Sequence, residues 1–446
     1  MPATVHNDLL VYKGSNFFRQ RLLLATLSGR AIKIEEIRST QDDPGLREYE
    51  VSLIRLLDKV TNGTRVELSE TGTSVYYQPG ILVGGQVTHS CSTQRGIGYY
   101  LEILLALGPF CKEPLNAVLQ GVTHSNLDVS VDKIKTAALP VLLKFILVDD
   151  GLELKVVRRG APPLGGGEVV FKCPVRRSLR PLQWTQWGLV KRIRGIVYAL
   201  RVSPTMANRV VDAAKGFIWI YTWATFYPHT MRTKPQVAVR LINLSFYITF
   251  LKPLYYLQVM LKFLPDVYIN TDQCRGSNAG KSPGFGVSLV AETNEKTFYC
   301  AEAVSIILFL IKHTYRSQLI GSVPNAINQV TLSTHTHVFV PGNKYLYTLQ
   351  ICFCAGIKTV TVNRGVKADH SATALNVYTI DVGPLSDYTI TFLQHLKEFF
   401  GVMFKLEVQR SGFDDEESDD EAVTPVNKIK MTCVGIGYVN ISKRTL

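Results

Sequence analysis

Three consecutive glycines near the middle of the sequence form the segment best suited to chemistry. Gly165, Gly166 and Gly167 follow Arg159 through a turn-forming stretch, and a strand-like run comes after them. Because glycine has no Cβ atom, backbone N–H groups in such a run can closely approach an anion or another segment of the chain. The run therefore has two interpretations, an anion-binding cradle and a tight connection into the next strand.

A cluster of three basic residues forms a second candidate site for contacting phosphate. Lys191, Arg192 and Arg194 fall within four positions at the start of a predicted strand. Closely spaced cations attract phosphate groups. We therefore predict that these three residues contact RNA or another anion, with a solvated basic face as the alternative.

The remaining candidates for metal binding or nucleophilic catalysis lack the partners that such sites need. His335 and His337 stand two positions apart, but residues 303–368 contain no Asp or Glu. The eight cysteines contain no C-x-x-C pair and no zinc-ligand spacing. We therefore predict no metal site and expect the cysteines to be reduced, mostly buried thiols of an intracellular protein.

Net charge is a poor guide to function in this chain. Its 446 residues are 46% apolar, which excludes a wholly disordered protein, and they carry a formal charge of +13. Taken alone, that charge favours a nucleic-acid partner. Residues 213–265 and 303–368, however, hold twelve basic and no acidic residues between them. The rest of the chain is close to neutral, so any RNA contact has to come from local clusters of cations.

The spacing of apolar residues predicts a mixed αβ chain built from repeated units. Residues 47–60 and 96–107 show helical spacing, and residues 65–68 and 74–77 read as strands. Further strands are predicted at 168–173, 194–202, 402–408 and 428–439, and further helices at 205–214 and 388–400.

The sequence does not predict insertion into a membrane. The most apolar stretch, residues 241–264, is interrupted by Lys252 and Pro253, whereas a bilayer crossing needs about 20 apolar residues. The first residues lack the basic and apolar regions of a signal peptide. We therefore expect neither a membrane span nor a secretory signal.

Several motifs resemble those of one family. Residues 159–169 (RGAPPLGGGEV) are similar to the signature of the RNA 3′-terminal phosphate cyclase superfamily. Other segments narrow the resemblance to the cyclase-like branch found in eukaryotes, and together they cover residues 8–212, 264–302 and about 376–446. These segments are NFFRQRL (16–22), PGLR (44–47), LLDKVTNG (56–63), YQPG (77–80), RGIGYYLE (95–102), KRIRG (191–195), GKSPGFG (280–286) and MTCVGIG (431–437).

The resemblance implies an α+β fold with two kinds of domain. The large domain consists of repeated βαβ-type units, like the C-terminal domain of a translation initiation factor, and a smaller α/β domain is inserted before the final repeat. We accordingly expect residues 1–185 in the first part of the large domain, 186–330 in the inserted domain and 331–446 in the final repeat.

Two segments do not match the family pattern, and a third is predicted to be disordered. Residues 213–265 look like an anomalous insertion, and residues 303–375 are not recognisable. We interpret both as a retained intron or misjoined reading frame, with a lineage-specific insertion as the alternative. The acidic run within residues 411–424 is predicted to be a disordered loop because its charges repel.

The resemblance also implies an activity, from which this sequence departs. Cyclases of the family adenylate a histidine, pass the adenylate to an RNA 3′-phosphate and close a 2′,3′-cyclic phosphate. Tyr388 stands where that histidine is expected, and phenols, with a pKa of about 10, are poor nucleophiles at neutral pH. Residues 14–18 replace the glycine-rich nucleotide-binding run and include Phe17 and Phe18. We therefore predict no cyclase activity, no catalytic residue and no cofactor.

Some basic residues match positions that the family uses around an anion pocket. Arg21, Arg47 and Arg95 stand beside the corresponding turns. We predict that Arg21, Arg47 and the glycine run form a residual phosphate or sulfate site. The full set of anion-binding or RNA-binding candidates is Arg21, Arg47, Arg95, Arg159, Gly165, Gly166, Gly167, Lys191, Arg192 and Arg194.

The function that the cyclase-like branch implies is ribosome biogenesis. We expect a factor of the nucleus and nucleolus that supports early pre-rRNA cleavage for the small subunit. Its implied partners are a pre-ribosomal GTPase, proteins of the small-subunit processome and pre-rRNA. The alternatives are an active ATP-dependent RNA 3′-phosphate cyclase with another nucleophile, and an RNA endonuclease.

Overall fold

The structure of the protein is a computed structural model that describes residues 9–146, 151–177, 179–180, 183–184, 190–226, 266–305, 377–382, 387–409 and 428–434. Within these residues the strands form four four-stranded sheets, numbered I to IV below, and one two-stranded ribbon. The mixed αβ class predicted from the sequence is confirmed.

Sheet I contains the first elements of the chain. Its strands and helices are β1 (Leu10–Lys13), α1 (Phe18–Ser28), β2 (Ile32–Glu35), α2 (Glu48–Val60), β4 (Arg65–Leu68) and β5 (Val75–Gln78). The ribbon pairs β3 (Thr61–Asn62) with β6 (Ile81–Leu82). In sheet I, β1 and β2 are parallel, and β5 lies antiparallel between β2 and β4.

Sheet II repeats this arrangement. Its elements are β7 (Gly84–Ser90), α3 (Ile97–Leu107), β8 (Glu113–Gly121), α4 (Val131–Lys133), α5 (Leu139–Ile146), β9 (Glu153–Arg158) and β10 (Gly167–Cys173). Strands β7 and β8 are parallel, and β10 lies antiparallel between β8 and β9. A 3₁₀ turn (Gly108–Phe110) follows α3, and a π-helical turn (Ile134–Ala138) joins α4 to α5.

Sheet III has the same strand order but is divided along the chain. Its elements are β11 (Gln183–Trp184), β16 (Val377–Val382), α7 (Asp387–Phe400), β17 (Phe404–Gln409) and β18 (Lys428–Val434). Strand β11 is parallel to β16, with Gln183 opposite Thr379, and β18 lies antiparallel between β16 and β17.

Sheet IV is formed by the chain between β11 and β16. Its elements are β12 (Val190–Leu200), α6 (Pro204–Phe226), β13 (Val267–Cys274), β14 (Gly284–Thr293) and β15 (Phe298–Ser305), with a 3₁₀ turn at Gly276–Asn278. The strand order is β13-β12-β14-β15. Strand β11 precedes this segment and pairs with β16, which follows it. The domain insertion before the final repeat stays a prediction.

Two of the three apolar clusters among the described residues support this organisation, and the third joins Ala161 to Tyr198 and Leu200 of β12. One cluster includes residues from α1, α2, α3, β8, β10, α7 and β18, so sheets I to III share a core. The second packs α6 on sheet IV and consists of Val197, Ala199, Ala207, Val210, Val211 and Phe285. Apolar residues are removed from water within each unit, which is the main favourable contribution to folding.

The sequence pattern explains the helices that position the candidate site. Helix α2 buries one apolar face, and its start is stabilised because the Glu50 carboxylate accepts a 2.8 Å hydrogen bond from the Arg47 N–H. Helix α7 begins at Asp387, one residue before the predicted position. The helices predicted at 47–60, 96–107 and 388–400 and the strands at 65–68 and 168–173 are confirmed within one residue.

Several predictions fall outside the described residues. These include His335 and His337, the acidic run at 411–424, the apolar stretch 241–264, and most of the two segments without acidic residues. Across the described part of the chain, no helix has the length and apolarity that a membrane crossing requires. Among those same residues, no three His, Cys, Asp or Glu side chains are grouped as metal ligands would be.

Candidate functional site

The turn before α1 meets the start of α7. Tyr388, in the first turn of α7, is half-buried, and its ring lies 5.6 Å from the ring of Phe17, centroid to centroid. The Arg19 Nη2 atom lies 3.5 Å from the Tyr388 hydroxyl oxygen. The two segments that depart from the cyclase pattern, residues 14–18 and Tyr388, are thus neighbours.

Phe17 adopts a backbone conformation that glycine adopts more readily. Its φ is 58°, in the left-handed region, where a side chain other than glycine costs about 1–2 kcal/mol. The Phe17 ring also contacts His395 at 6.0 Å, so aromatic packing on α7 offsets this cost. A phenylalanine ring thus occupies the position that a glycine-rich loop would leave open.

Arg19 is engaged by groups on α3. It forms an ion pair with the buried Glu102, its Nη1 atom donates to the Tyr99 carbonyl at 3.3 Å, and its guanidinium lies 4.7 Å above the Tyr99 ring. Charged hydrogen bonds of this kind hold a side chain in place. Arg19 therefore connects α1, α3 and α7.

Arg21 is buried beside β1. Its Nη1 atom donates to the Gly14 carbonyl at 2.9 Å, and its guanidinium lies 4.6 Å from the centre of the Tyr12 ring. Burial lowers the pKa of Arg21, whereas the pKa of Tyr12 is raised by burial and by the hydrogen bond that its hydroxyl donates to Glu398. Arg21 is thus held by backbone and ring contacts.

His395 is buried against the same aromatic side chains. Only 5% of its surface is exposed, and its ring meets Tyr12 edge-on at 5.3 Å. Burial, with the nearby positive charge of Arg21, lowers the pKa of His395 to about 4. The sequence favoured a surface or satisfied structural histidine. The surface position is wrong because the ring faces α1, and Nδ1 has no hydrogen-bond partner among the described residues.

This buried imidazole gives a testable pH dependence. Because the folded-state pKa is about 4 and the unfolded value is 6.5, the unfolded chain binds more protons in between. We expect the free energy of unfolding to fall as pH decreases from 6.5 to 4, by at most about 3 kcal/mol from this residue. Urea unfolding of the wild type and His395→Phe at several pH values measures it. Equal pH slopes for the two proteins contradict the assignment.

The glycine run lies against the segment that precedes β14. The Gly280 N–H donates to the Arg159 carbonyl at 2.7 Å, and the Lys281 N–H donates to the Gly165 carbonyl at 3.0 Å. A Cβ atom on Gly280 would stand 2.4 Å from the Gly165 oxygen, and Gly165 and Gly166 have φ of 62° and 81°. The tight connection is therefore realised by backbone contacts, and anion binding by this run stays a prediction.

Arg159 joins sheet II to sheet IV. Its Nη1 and Nη2 atoms donate to Asp132 at 2.7 and 3.1 Å, and its Nε donates to Asp272 at 2.6 Å. His124 Nε2 lies 2.8 Å from the same Asp132 carboxylate. Although burial opposes ionisation, the neighbouring His124 and Arg159 hold the pKa of Asp132 well below its usual range. Arg159 is thus paired on both sides.

Arg95 and Arg47 lie at the starts of α3 and α2. Arg95 donates from Nε to both oxygens of Asp128, at 3.0 and 2.9 Å, and lies 4.6 Å above the Tyr99 ring. Arg47 forms an ion pair with Asp43. Among the described residues, Arg21 and Arg47 make their contacts to other groups and not to the glycine run. The anion site predicted from Arg21, Arg47 and the glycine run stays a prediction.

The cluster at the start of β12 is largely neutralised. Arg192 Nε donates to Glu292 at 2.6 Å, Arg194 Nη1 donates to the Asp266 carbonyl at 2.8 Å, and Arg194 also pairs with the Asp266 carboxylate. Lys191 is exposed. The predicted binding residues thus lie in four places: beside β1, at the starts of α2 and α3, at the glycine run and on β12.

Sequence reasoning missed the acidic partners of these cations. Asp128, Asp132, Asp272 and Glu292 have no local pattern that marks them, since each lies on a different element from its arginine. Sequence reasoning singled out Phe17 and Tyr388 separately, as departures from the family motifs, and their contact comes from the structure.

Comparisons with known proteins identify the family of the chain. The model of the family described as "RNA 3'-terminal phosphate cyclase" matches residues 10–406. A Homo sapiens "RNA 3'-terminal phosphate cyclase-like protein" is 44% identical over 444 residues, covering 97% of each chain. A Schizosaccharomyces pombe "rRNA processing protein rcl1" is 35% identical over 436 residues, again 97% of each chain. The chain belongs to the RNA 3′-terminal phosphate cyclase family.

Proposed function

We propose that the chain acts in rRNA processing for the small ribosomal subunit and that it does so without cyclase activity. Two relatives support this proposal. The Schizosaccharomyces pombe relative is named for rRNA processing, and the Homo sapiens relative is called cyclase-like. Both align with nearly the whole chain.

The packing of Phe17 on Tyr388 is the main observation that supports the absence of cyclase activity. Adenylation needs a nucleophile able to attack a phosphate and a loop whose backbone N–H groups can hold the nucleotide. Here a phenol replaces the imidazole, and the Phe17 ring lies 5.6 Å from it. Arg19 beside them is already paired with Glu102. The contacts among Phe17, Tyr388 and Arg19 thus favour a structural role for this region over nucleotide binding.

The cellular setting belongs to the same proposal. The chain is a nuclear and nucleolar factor that joins the small-subunit processome, with a pre-ribosomal GTPase and pre-rRNA as partners. The similarity of its motifs to the cyclase-like branch supports this setting. We also propose that sheets I to III are the repeated units of the large domain and that sheet IV is the core of the inserted domain. Sheets I to III have the same strand arrangement and share the largest apolar cluster, whereas α6 packs on sheet IV in a cluster of its own.

Covalent labelling tests the absence of cyclase activity. The purified chain is incubated with ATP labelled at the α-phosphate and RNA bearing a 3′-phosphate, and the products are separated on a denaturing gel. We expect no labelled protein and no cyclic phosphate, because no imidazole stands at the position of Tyr388. An active cyclase is the positive control. A labelled band that disappears in Tyr388→Phe contradicts the proposal and supports a tyrosine nucleophile.

A further inference from the structure

A positively charged surface lies where sheet IV meets the glycine run. It consists of Arg201 after β12, Arg275 after β13 and Lys281 before β14, and we call these three residues the junction patch. All three side chains are exposed. The Arg201 Nε donates to the Gly280 carbonyl at 2.8 Å, and the Arg201 N–H donates to the Cys274 carbonyl at 3.4 Å. These contacts bring Arg201 close to Arg275 and Lys281, although it is distant from both in sequence.

The junction patch differs from the neighbouring cations in how its charge is balanced. Within the described residues, none of the three side chains forms an ion pair with a carboxylate. By contrast, Arg159 and Arg192, on neighbouring strands or loops, each pair with an acidic residue. Asp272, on β13, is occupied by Arg159 and by the Cys274 thiol. The first turn of α6 contains no acidic residue.

The surroundings of the patch suit phosphate oxygens. Exposed hydroxyl and amide groups flank the three cations, and they belong to Ser203, Thr205, Ser277 and Asn278. Arg, Lys, Ser, Thr and Asn side chains are among the groups that donate hydrogen bonds to nucleic-acid phosphates. Leu164, at the tip of the glycine loop, is 59% exposed, and its N–H donates to Ser282 Oγ at 3.1 Å. It adds an apolar contact beside Lys281.

We propose that the junction patch binds the phosphodiester backbone of RNA. The proposal rests on the proposed function, which brings the chain to pre-rRNA, and adds the surface that makes the contact. Recognition here is by charge and hydroxyl donors, so binding is independent of base sequence and weakens with salt. An acidic peptide is negatively charged like RNA and is the alternative ligand. The hydroxyl and amide donors around the cations favour the phosphate oxygens of RNA.

Binding of RNA by the full chain tests the patch. The variant is Arg275→Gln/Lys281→Gln, the probe is a fluorescent single-stranded RNA of mixed sequence, and anisotropy is followed over a range of salt concentrations. Each phosphate contact to a single strand contributes about 0.7 to the salt slope, so losing two reduces the slope by about 1.4. We expect binding at about 0.1 M salt to weaken about 25-fold.

Matched variants make the result specific to the patch. Arg55→Gln/Lys112→Gln removes one exposed Arg and one exposed Lys elsewhere, and it should bind RNA within about two-fold of wild type. The variant Arg275→Lys/Lys281→Arg keeps both charges and should also retain binding. It shows whether a loss of binding comes from the lost charge or from a folding defect caused by substitution at these positions. Equal losses in the two glutamine variants, or no loss in either, overturn the proposal.

Competition with polyglutamate distinguishes RNA from an acidic peptide as the ligand of the patch. Displacement of bound RNA only by unlabelled RNA supports the proposal. A patch-dependent complex with polyglutamate, without patch-dependent RNA binding, overturns it in favour of an acidic protein partner. Because the assay uses purified protein, a negative result removes this surface and leaves the role in rRNA processing to be tested in cells.

Discussion

Replacing Asp132 with alanine should destabilise the protein by about 3–5 kcal/mol. Asp132 is 2% exposed and holds the buried Arg159 guanidinium with two hydrogen bonds. Without the carboxylate, a buried positive charge is left on that side, and His124 loses its partner at 2.8 Å. Because removing one member of a buried ion pair leaves the other uncompensated, the loss is larger than for a surface pair. The midpoint of urea unfolding measures it.

Asp272→Ala is the matched control for this prediction. Asp272 bonds the same arginine at 2.6 Å, but its side chain is 45% exposed. Arg159 would keep both bonds to Asp132, and water would reach the vacated side, so we expect a loss of about 1 kcal/mol or less. Replacing the buried pair together, as Arg159→Met/Asp132→Leu, should restore part of the lost stability. Equal shifts for the two alanine variants contradict the role assigned to Asp132.

Removing the chain from cells should have the second large effect. If the protein supports early cleavage, its depletion should raise the ratio of small-subunit pre-rRNA to mature small-subunit rRNA several-fold, with large-subunit rRNA less affected. Hybridisation of total RNA with probes to the precursor and mature regions measures both ratios, and cells rescued with the wild-type chain are the control. An unchanged ratio after depletion removes the proposed function.

Local features of the site could be predicted from the sequence. The helix over 47–60 follows from apolar spacing, and the same reasoning places Tyr388 in the first turn of α7. The glycine run could be recognised as a tight connection because only backbone without Cβ atoms fits there, and a Cβ on Gly160 would stand 2.3 Å from the Gly167 nitrogen. These predictions succeed because their physical causes lie within a few residues.

The partners of the charged residues could not be predicted in this way. Asp132 and Asp272 lie 27 and 113 positions from Arg159, and Asp128 lies 33 positions from Arg95. Such pairs depend on how sheets II and IV meet, which periodicity does not encode. The basic cluster that sequence spacing singled out is neutralised, since Arg192 pairs with Glu292. Spacing did not single out the junction patch, which has no ion-pair partner within the described ranges.

Family resemblance marked Phe17 and Tyr388 individually, and the structure brings the two side chains together. Arg19 and Tyr388 are 369 positions apart, and no spacing rule joins them. Their contact depends on how the turn before α1 meets the start of α7, which neither the motifs nor the spacing encode. The burial of His395 did not follow, since it depends on how α7 packs on α1.

The most direct test of a non-cyclising rRNA-processing factor uses Tyr388→Phe in the depleted cells. This change removes the hydroxyl at the position of the cyclase nucleophile and keeps the ring that packs on Phe17. The measurement is the ratio of small-subunit pre-rRNA to mature rRNA, compared with rescue by the wild-type chain. We predict the same ratio for the two, because processing requires no chemistry at Tyr388. Accumulation of precursor to the level of unrescued cells, with normal amounts of the variant protein, contradicts the account.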